Sequence, residues 1–283
     1  KKPLHVAMHL AQFRRPNGKV RLELYYGIPF NELEFSREDR EWKTPVVGKV
    51  AIFDNLYNTV VTDSFALDLR VPDSAATQGG FYTSQFNFLL TPGDYHATLR
   101  IENAPGNRLG ILQANIERPA FSFSPDSLAI SELQLSHRIV AVADSGGMQT
   151  AGGTAEDKFM KNGLCIEPLA KAEIPKRRIL FIYFEIYGLQ KNTSGLTRYA
   201  LQYTLNTAGK KKGLFGKIAG LFGGKKEKLT VTETREGKSA DPVEHIGIDL
   251  GAQADGTFVL EVTVRDLIGQ QAVQSRAPLV LKS

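Results

Sequence analysis

Leu90-Thr91-Pro92-Gly93-Asp94-Tyr95-His96-Ala97-Thr98-Leu99 holds a tight turn and the head of a strand in ten residues. Pro92 presets its φ for a turn, and Gly93 tolerates the conformations that close one. From Tyr95 onward the pattern has period 2. Tyr95, Ala97, Leu99 and Ile101 fall on one face and His96, Thr98, Arg100 and Glu102 on the other. Alternation of this kind marks a strand with one face in a core and one in water.

Moving outward, the same grammar repeats. Towards the N-terminus, strands are expected over residues 4–13, 20–26, 31–36, 46–53, 60–69 and 84–90, with 95–103 and 108–118 following. Pro16-Asn17-Gly18, Asp54-Asn55, Pro72-Asp73, Gly79-Gly80 and Pro105-Gly106-Asn107 supply turns between them. Short strands at this spacing indicate an antiparallel sandwich or barrel. A Pro-Gly turn with tyrosine at the head of the next strand resembles the tyrosine corner of immunoglobulin-like sandwiches.

The chain has 283 residues, suited to two domains of roughly 120–160 residues. Pro119, Pro125 and Asp126 bracket the aromatic triplet 121–123, and the boundary is placed there. Domain 1 is 1–122 and domain 2 is 123–283. The second opens with Leu128 to Ile139 and continues into a Gly/Ser/Thr-rich stretch, 143–157, that reads as a mobile loop. Strands are expected again over 163–170, 178–188, 198–206, 228–236, 243–250, 257–266 and 270–281. The fold expectation is all-β: two tandem immunoglobulin-like antiparallel β-sandwich domains, with a short amphipathic insertion in the second.

Hydrophobic residues make up 42% and charged residues 23%, ordinary for a globular chain. The net charge is +5, but residues 209–228 hold seven lysines against Glu227. The positive charge therefore belongs to one insertion rather than to a nucleic-acid-binding face. Cys165 is the one cysteine, so no internal disulfide forms, and its strand-like surroundings suit a buried thiol. No apolar run reaches the ~18–20 residues of a spanning helix. No signal peptide is expected within the sequence read, because Lys1-Lys2-Pro3 runs straight into an alternating strand, as it would in a mature form.

Motifs for chemistry are missing. His5 and His9 share a strand face about 13 Å apart, too far for one metal ion. No HExxH, CxxC, Gly-x-Ser-x-Gly or phosphate-binding glycine loop occurs. Asp144-Ser145-Gly146-Gly147 reads as loop. Carboxylates such as Asp63, Glu167 and Glu185 are scattered and meet only if the fold brings them together. Trp42, the one tryptophan, sits in the charged run 37–43 and reads as an edge-packing ring. The expectation is a non-enzyme with no cofactor and no catalytic or metal residues.

Two segments stand out. Ile179-Leu180-Phe181-Ile182-Tyr183-Phe184-Glu185-Ile186-Tyr187 is apolar or aromatic at eight of nine positions, so both faces of this strand require cover. An interface strand through Phe181, Tyr183 and Tyr187 is one reading, and packing within the chain is the other. In 209–228, Leu214, Phe215, Ile218, Leu221 and Phe222 fall on one side of a short helical pattern, with Lys217 among the glycines opposite. Glycines make such a helix unstable alone, so these six residues are candidates for contact with protein or with an anionic membrane surface.

Val20-Arg21-Leu22-Glu23-Leu24-Tyr25-Tyr26-Gly27-Ile28-Pro29, the Leu90–Tyr95 corner and Ser127-Leu128-Ala129-Ile130-Ser131-Glu132-Leu133 together resemble the β-rich C-terminal region of bacterial GWxTD-domain proteins. The GWxTD motif itself is absent. The resemblance covers residues 4–140 best, and it implies an extracytoplasmic bacterial setting (periplasmic, envelope-associated or secreted). It also implies that the chain is a part of a longer protein. The leading functional expectation is a structural or protein-interaction module of an envelope or secreted assembly, with protein partners and no nucleic acid. The alternatives are a peripheral membrane protein held by 209–228 and a carbohydrate-binding module.

Overall fold

The computed structural model describes every residue except 73–75, 123–126, 143–148, 151–152, 155–156, 170, 172, 176–178, 208–228 and 283. Its described residues form strands joined by turns and short 3-10 segments. By contacts the chain divides into two units, 1–123 with 136–171, and 124–135 with 172–283.

The first unit opens with β1 (Lys2–Pro3), β2 (Ala7–Arg14), β3 (Val20–Pro29) and β4 (Ser36–Glu38). It continues with β5 (Glu41–Phe53), β6 (Thr59–Val71), β7 (Phe81–Leu90), β8 (Tyr95–Asn103) and β9 (Arg108–Ile116). One sheet has the order β2-β3-β7. The other runs β9-β8-β5-β6, with β4 also on β5 and β1 lying parallel to β9. The turn between β2 and β3 uses Asn17 at φ 62° and Gly18 at φ 67°, the left-handed region in which Asn and Gly are most at ease.

Alternation sends Leu22, Leu24, Tyr26 and Ile28 of β3 into the core to meet Val50, Ile52, Leu99 and Ile101. The corner forms as the sequence implies: Tyr95 donates its phenol to the Thr91 carbonyl at 2.8 Å. The expected strand at 31–36 does not form. Pro29 ends β3, and Phe30–Glu32 turn in a 3-10 segment that buries Phe30 against Phe35. Phe35 and the neighbouring Leu33 serve the core from a turn, which alternation alone could not distinguish from a strand.

Beyond residue 123 come β10 (Ala129–Ile130), β11 (Gln134–Ala141), β12 (Gln149–Thr150), β13 (Gly153–Thr154), β14 (Met160–Lys161) and β15 (Leu164–Pro168). Then follow β16 (Glu173–Pro175), β17 (Ile179–Tyr187), β18 (Thr197–Thr207), β19 (Leu229–Gly237), β20 (Val243–Asp249), β21 (Gly256–Asp266) and β22 (Ala272–Lys282).

The units divide differently from the expected 1–122 and 123–283, because 136–171 belongs with the first sandwich. Residues 136–141 pair with β15, and β14 pairs with β15. This segment lies over the outward face of β2-β3-β7. Gln85 donates to the Lys158 carbonyl at 2.6 Å, and the Lys161 ammonium sits 3.7 Å from the centroid of the Phe13 ring. The expected loop 143–157 falls largely outside the described residues; within it β12 and β13 pair antiparallel.

The second unit repeats the plan of the first. β17 pairs β10 at one end and β20 along its length, while β22-β21-β18-β19 form the larger sheet with β16 parallel to β22. Both units are immunoglobulin-like sandwiches with the same strand order, in tandem. The amphipathic insertion lies outside the described residues, between Thr207 at the end of β18 and Leu229 at the start of β19.

Candidate binding slot in the second sandwich

Directly paired residues on neighbouring strands share a face, so the register of β18, β19 and β20 fixes what enters the second sandwich. Tyr199, Leu201, Tyr203 and Leu205 of β18 point inward and are buried. Their partners on β19 include Val231, Glu233 and Arg235. On β20 the partners of the core residues Leu180, Ile182 and Phe184 are Ile248, Ile246 and Glu244. The edge between β19 and β20 therefore offers Val231 and two isoleucines, then charges.

The result is a slot that no described residue covers. Val231 is 41% exposed, and Ile246 and Ile248 are only half-buried. A cavity of about 290 Å³ opens between the two sheets, floored by Leu180, Leu205, Leu250 and Leu260. Tyr203 lines it. Its hydroxyl is buried and has no hydrogen-bond partner among the described residues. Burial, with the negative charges of Glu244 and Glu233 nearby, holds that phenol well above the usual tyrosine range. Around it, Tyr199 donates to Glu244, and Arg235 Nη2 lies 2.7 Å from Glu233 Oε2.

The first sandwich closes the equivalent edge. There the inward series of β6 includes Phe65, Leu67 and Leu69, and that of β19 includes Val231, Glu233 and Arg235. The Phe65 ring stacks on Tyr26 at 5.4 Å and lies 6.0 Å from Phe86. Its cross-strand partner is Gly48, where a Cβ would stand 2.2 Å from the ring. Glycine at 48 lets the ring lie flat across the strand. Among the described residues one plan thus gives a filled edge in one sandwich and an open one in the other.

Other expected site residues fall as follows. Leu214, Phe215, Lys217, Ile218, Leu221 and Phe222 lie outside the described residues. Tyr183 and Tyr187 are buried, so neither ring presents an outer surface, and Phe181 is half-buried. Both hydroxyls donate to Glu185, at 2.7 and 2.9 Å, and Ser131 Oγ accepts the Glu185 N–H at 2.9 Å. Tyr183 and Tyr187 thus share a buried carboxylate as acceptor, while Ile179 at the head of the strand is 53% exposed.

The first sandwich has a similar carboxylate. Glu23 is buried; Lys161 Nζ lies 2.9 Å and Arg21 Nη2 2.6 Å from it, and Tyr25 donates to it at 2.5 Å. Burial pushes its pKa up, but Lys161, Arg21 and Tyr25 pull harder and hold it below the usual carboxylate range. Cys165 is buried beside Phe159. Trp42 is half-buried against the first core. His5 meets Glu32, and His96 meets Asn115, each at 2.9 Å. Among the described residues no three His, Cys, Asp or Glu side chains gather to hold a metal ion.

Sequence reading missed Tyr203, Glu233 and Glu244. The signal was present in Val231-Thr232-Glu233-Thr234-Arg235, an alternation whose inward face carries charge. Without the register, nothing shows which of its two faces is inward.

No family model matches the chain, and no curated protein matches it. Among solved structures, all of the chain is similar to 17% of trypsin-activated alpha-2-macroglobulin from Escherichia coli, with 11% identity and a TM-score of 0.25. A Salmonella alpha-2-macroglobulin mutant matches 98% of the chain over 24% of its own length, with 7% identity and a TM-score of 0.31. The chain spans less than a quarter of the length of either protein.

Proposed function

We propose that this chain is a non-catalytic protein-binding module of a bacterial envelope or secreted assembly, and that its second sandwich makes the contact. The observation that carries the reading is the uncovered edge of that sandwich. Apolar side chains and a buried hydroxyl with no partner among the described residues are costly to leave facing water or a void, and a bound protein would cover them. The two buried carboxylates support the non-catalytic part. Glu23 and Glu185 are engaged by this chain's own groups and enclosed from substrates. The bacterial, extracytoplasmic setting rests on the resemblance of the Val20–Pro29, Leu90–Tyr95 and Ser127–Leu133 segments.

The test is photo-crosslinking in the producing bacterium. A photoreactive residue is placed in turn at the exposed positions Leu89 and Ile111 of the first sandwich and Thr232 and His245 of the second. A discrete protein adduct from the second pair is the expected result. No discrete adduct from any position would overturn the reading.

A further inference from the structure

We infer that the open edge of the second sandwich takes an extended peptide segment of a partner protein, added as a strand beside β20. Its bulky apolar side chain enters the slot and flanking basic side chains meet the acidic rim. The inference rests on the protein-binding reading and specifies its mode.

The backbone sets the geometry. Ile186 donates its N–H to the Pro242 carbonyl at 3.0 Å. In an antiparallel ladder, bonding pairs recur every second residue. Glu244, Ile246 and Ile248 therefore point their amides at β17, while His245, Gly247 and Asp249 point theirs at the opposite edge. Among the described residues no strand pairs with that edge. A row of free N–H and C=O groups is what strand addition uses.

Side chains set the chemistry. A strand beside β20 continues the small sheet across the cavity, and every second residue faces into it. An aromatic residue facing inward from an edge has a precedent in this same chain, since Phe65 of β6 packs on Tyr26 and Phe86. The Tyr203 hydroxyl, buried without a partner among the described residues, is available to donate to an incoming carbonyl. Among the described residues Glu233 and Glu244 stand against Arg235 beside the slot, so this rim favours a basic occupant over an acidic one. Inward-pointing Glu233 and Arg235 also blunt the β19 edge against pairing, which leaves β20 as the receptive strand.

The experiment uses the full chain and a fluorophore-labelled peptide, Thr-Lys-Val-Phe-Val-Lys-Thr, which puts phenylalanine and both lysines on one face. Fluorescence polarisation should show saturable binding, weakened about tenfold or more when both lysines become glutamates or when phenylalanine becomes alanine. Two variants of the chain should each weaken it as much. His245→Pro removes one outward N–H and leaves the β17 ladder intact, since proline is tolerated on an edge. Val231→Phe fills the slot, and circular dichroism establishes that each variant is folded.

Absence of binding to the intact chain overturns the inference, and so does equal binding to both variants. Binding that appears only after 210–228 is replaced by a Gly/Ser linker also overturns it, because the occupant is then this chain's own segment. If Thr232 crosslinks persist undiminished in the Val231→Phe and His245→Pro variants, strand addition falls and the protein-binding reading stands. Absence of every crosslink from the chain without these two substitutions takes down both.

Discussion

Lys161 Nζ stands 2.9 Å from Glu23 Oε2 although the two residues are 138 apart in the chain. Both side chains are almost fully buried. The pair fastens the segment 136–171 to the outward face of the first sandwich, a face that would otherwise show Phe13, Glu23 and Tyr25 to water. Buried pairs seldom add net stability over an apolar replacement, but removing one partner leaves an uncompensated charge.

Lys161→Met should therefore destabilise the first sandwich, by less than the roughly 3–5 kcal/mol of a fully unpaired buried charge, because Arg21 still faces Glu23. Urea denaturation is the measurement. Adding Glu23→Gln to that variant should restore a large part of the loss, because the stranded charge is gone. A double variant no better than Lys161→Met would show that packing, not charge, holds the segment.

The same carboxylate gives a pH dependence. Its folded pKa lies below the ordinary range, so its contribution is fully present above the unfolded value of about 4.3. It is lost as pH falls through the folded value. The stability advantage of the unmodified chain over Glu23→Gln should shrink steadily on acidification below about pH 5. Denaturation midpoints measured across that range should converge, and parallel curves would contradict the assignment.

Gly48→Ala places a methyl 2.2 Å from the nearest carbon of the Phe65 ring and 2.9 Å from Ile101 Cδ1. The aromatic stack of Tyr26, Phe65 and Phe86 must shift to admit it. The expected cost is about 1–3 kcal/mol, read as a lower denaturation midpoint. Phe65→Leu in the same background should recover part of it.

Val231→Phe is the reverse case. It adds a ring at the slot that no described residue fills. A gain of about 0.5–2 kcal/mol is expected from filling the slot. Thermal unfolding checks it, and an unchanged or lowered midpoint would mean that the slot cannot close around a ring.

Tyr95→Phe deletes only the hydroxyl that donates to Thr91 at 2.8 Å. A loss of about 0.5–1.5 kcal/mol is expected, again from urea denaturation. The ring stays in place, so the core should keep its near-ultraviolet circular dichroism.

Local chemistry made much of this protein legible in its sequence. Pro92-Gly93 before Tyr95 and Asn17-Gly18 between β2 and β3 specify their turns through backbone preference. The alternation of Tyr95 to Asn103 and of Phe258 to Val264 specifies strands and their inward faces, because side chains in a strand have period 2. The all-β class and the tandem of sandwiches followed from those signals. The strand at 31–36 failed because Pro29 breaks the ladder there. The segment 136–171 was assigned to the wrong neighbour, because its attachment depends on Lys158 and Lys161 meeting groups far away in the chain.

The candidate site was decided by tertiary structure alone. Val231, Glu233 and Arg235 look like any alternating strand until pairing with Tyr203, Leu201 and Tyr199 turns them inward. Period 2 gives each strand two faces but does not say which one meets the core. Register says it, and register is a relation between residues distant in sequence. The same reason explains why Phe65 closes one sandwich and nothing among the described residues closes the other. The sequence determined the strands and turns, and non-local pairing determined which edge stayed open.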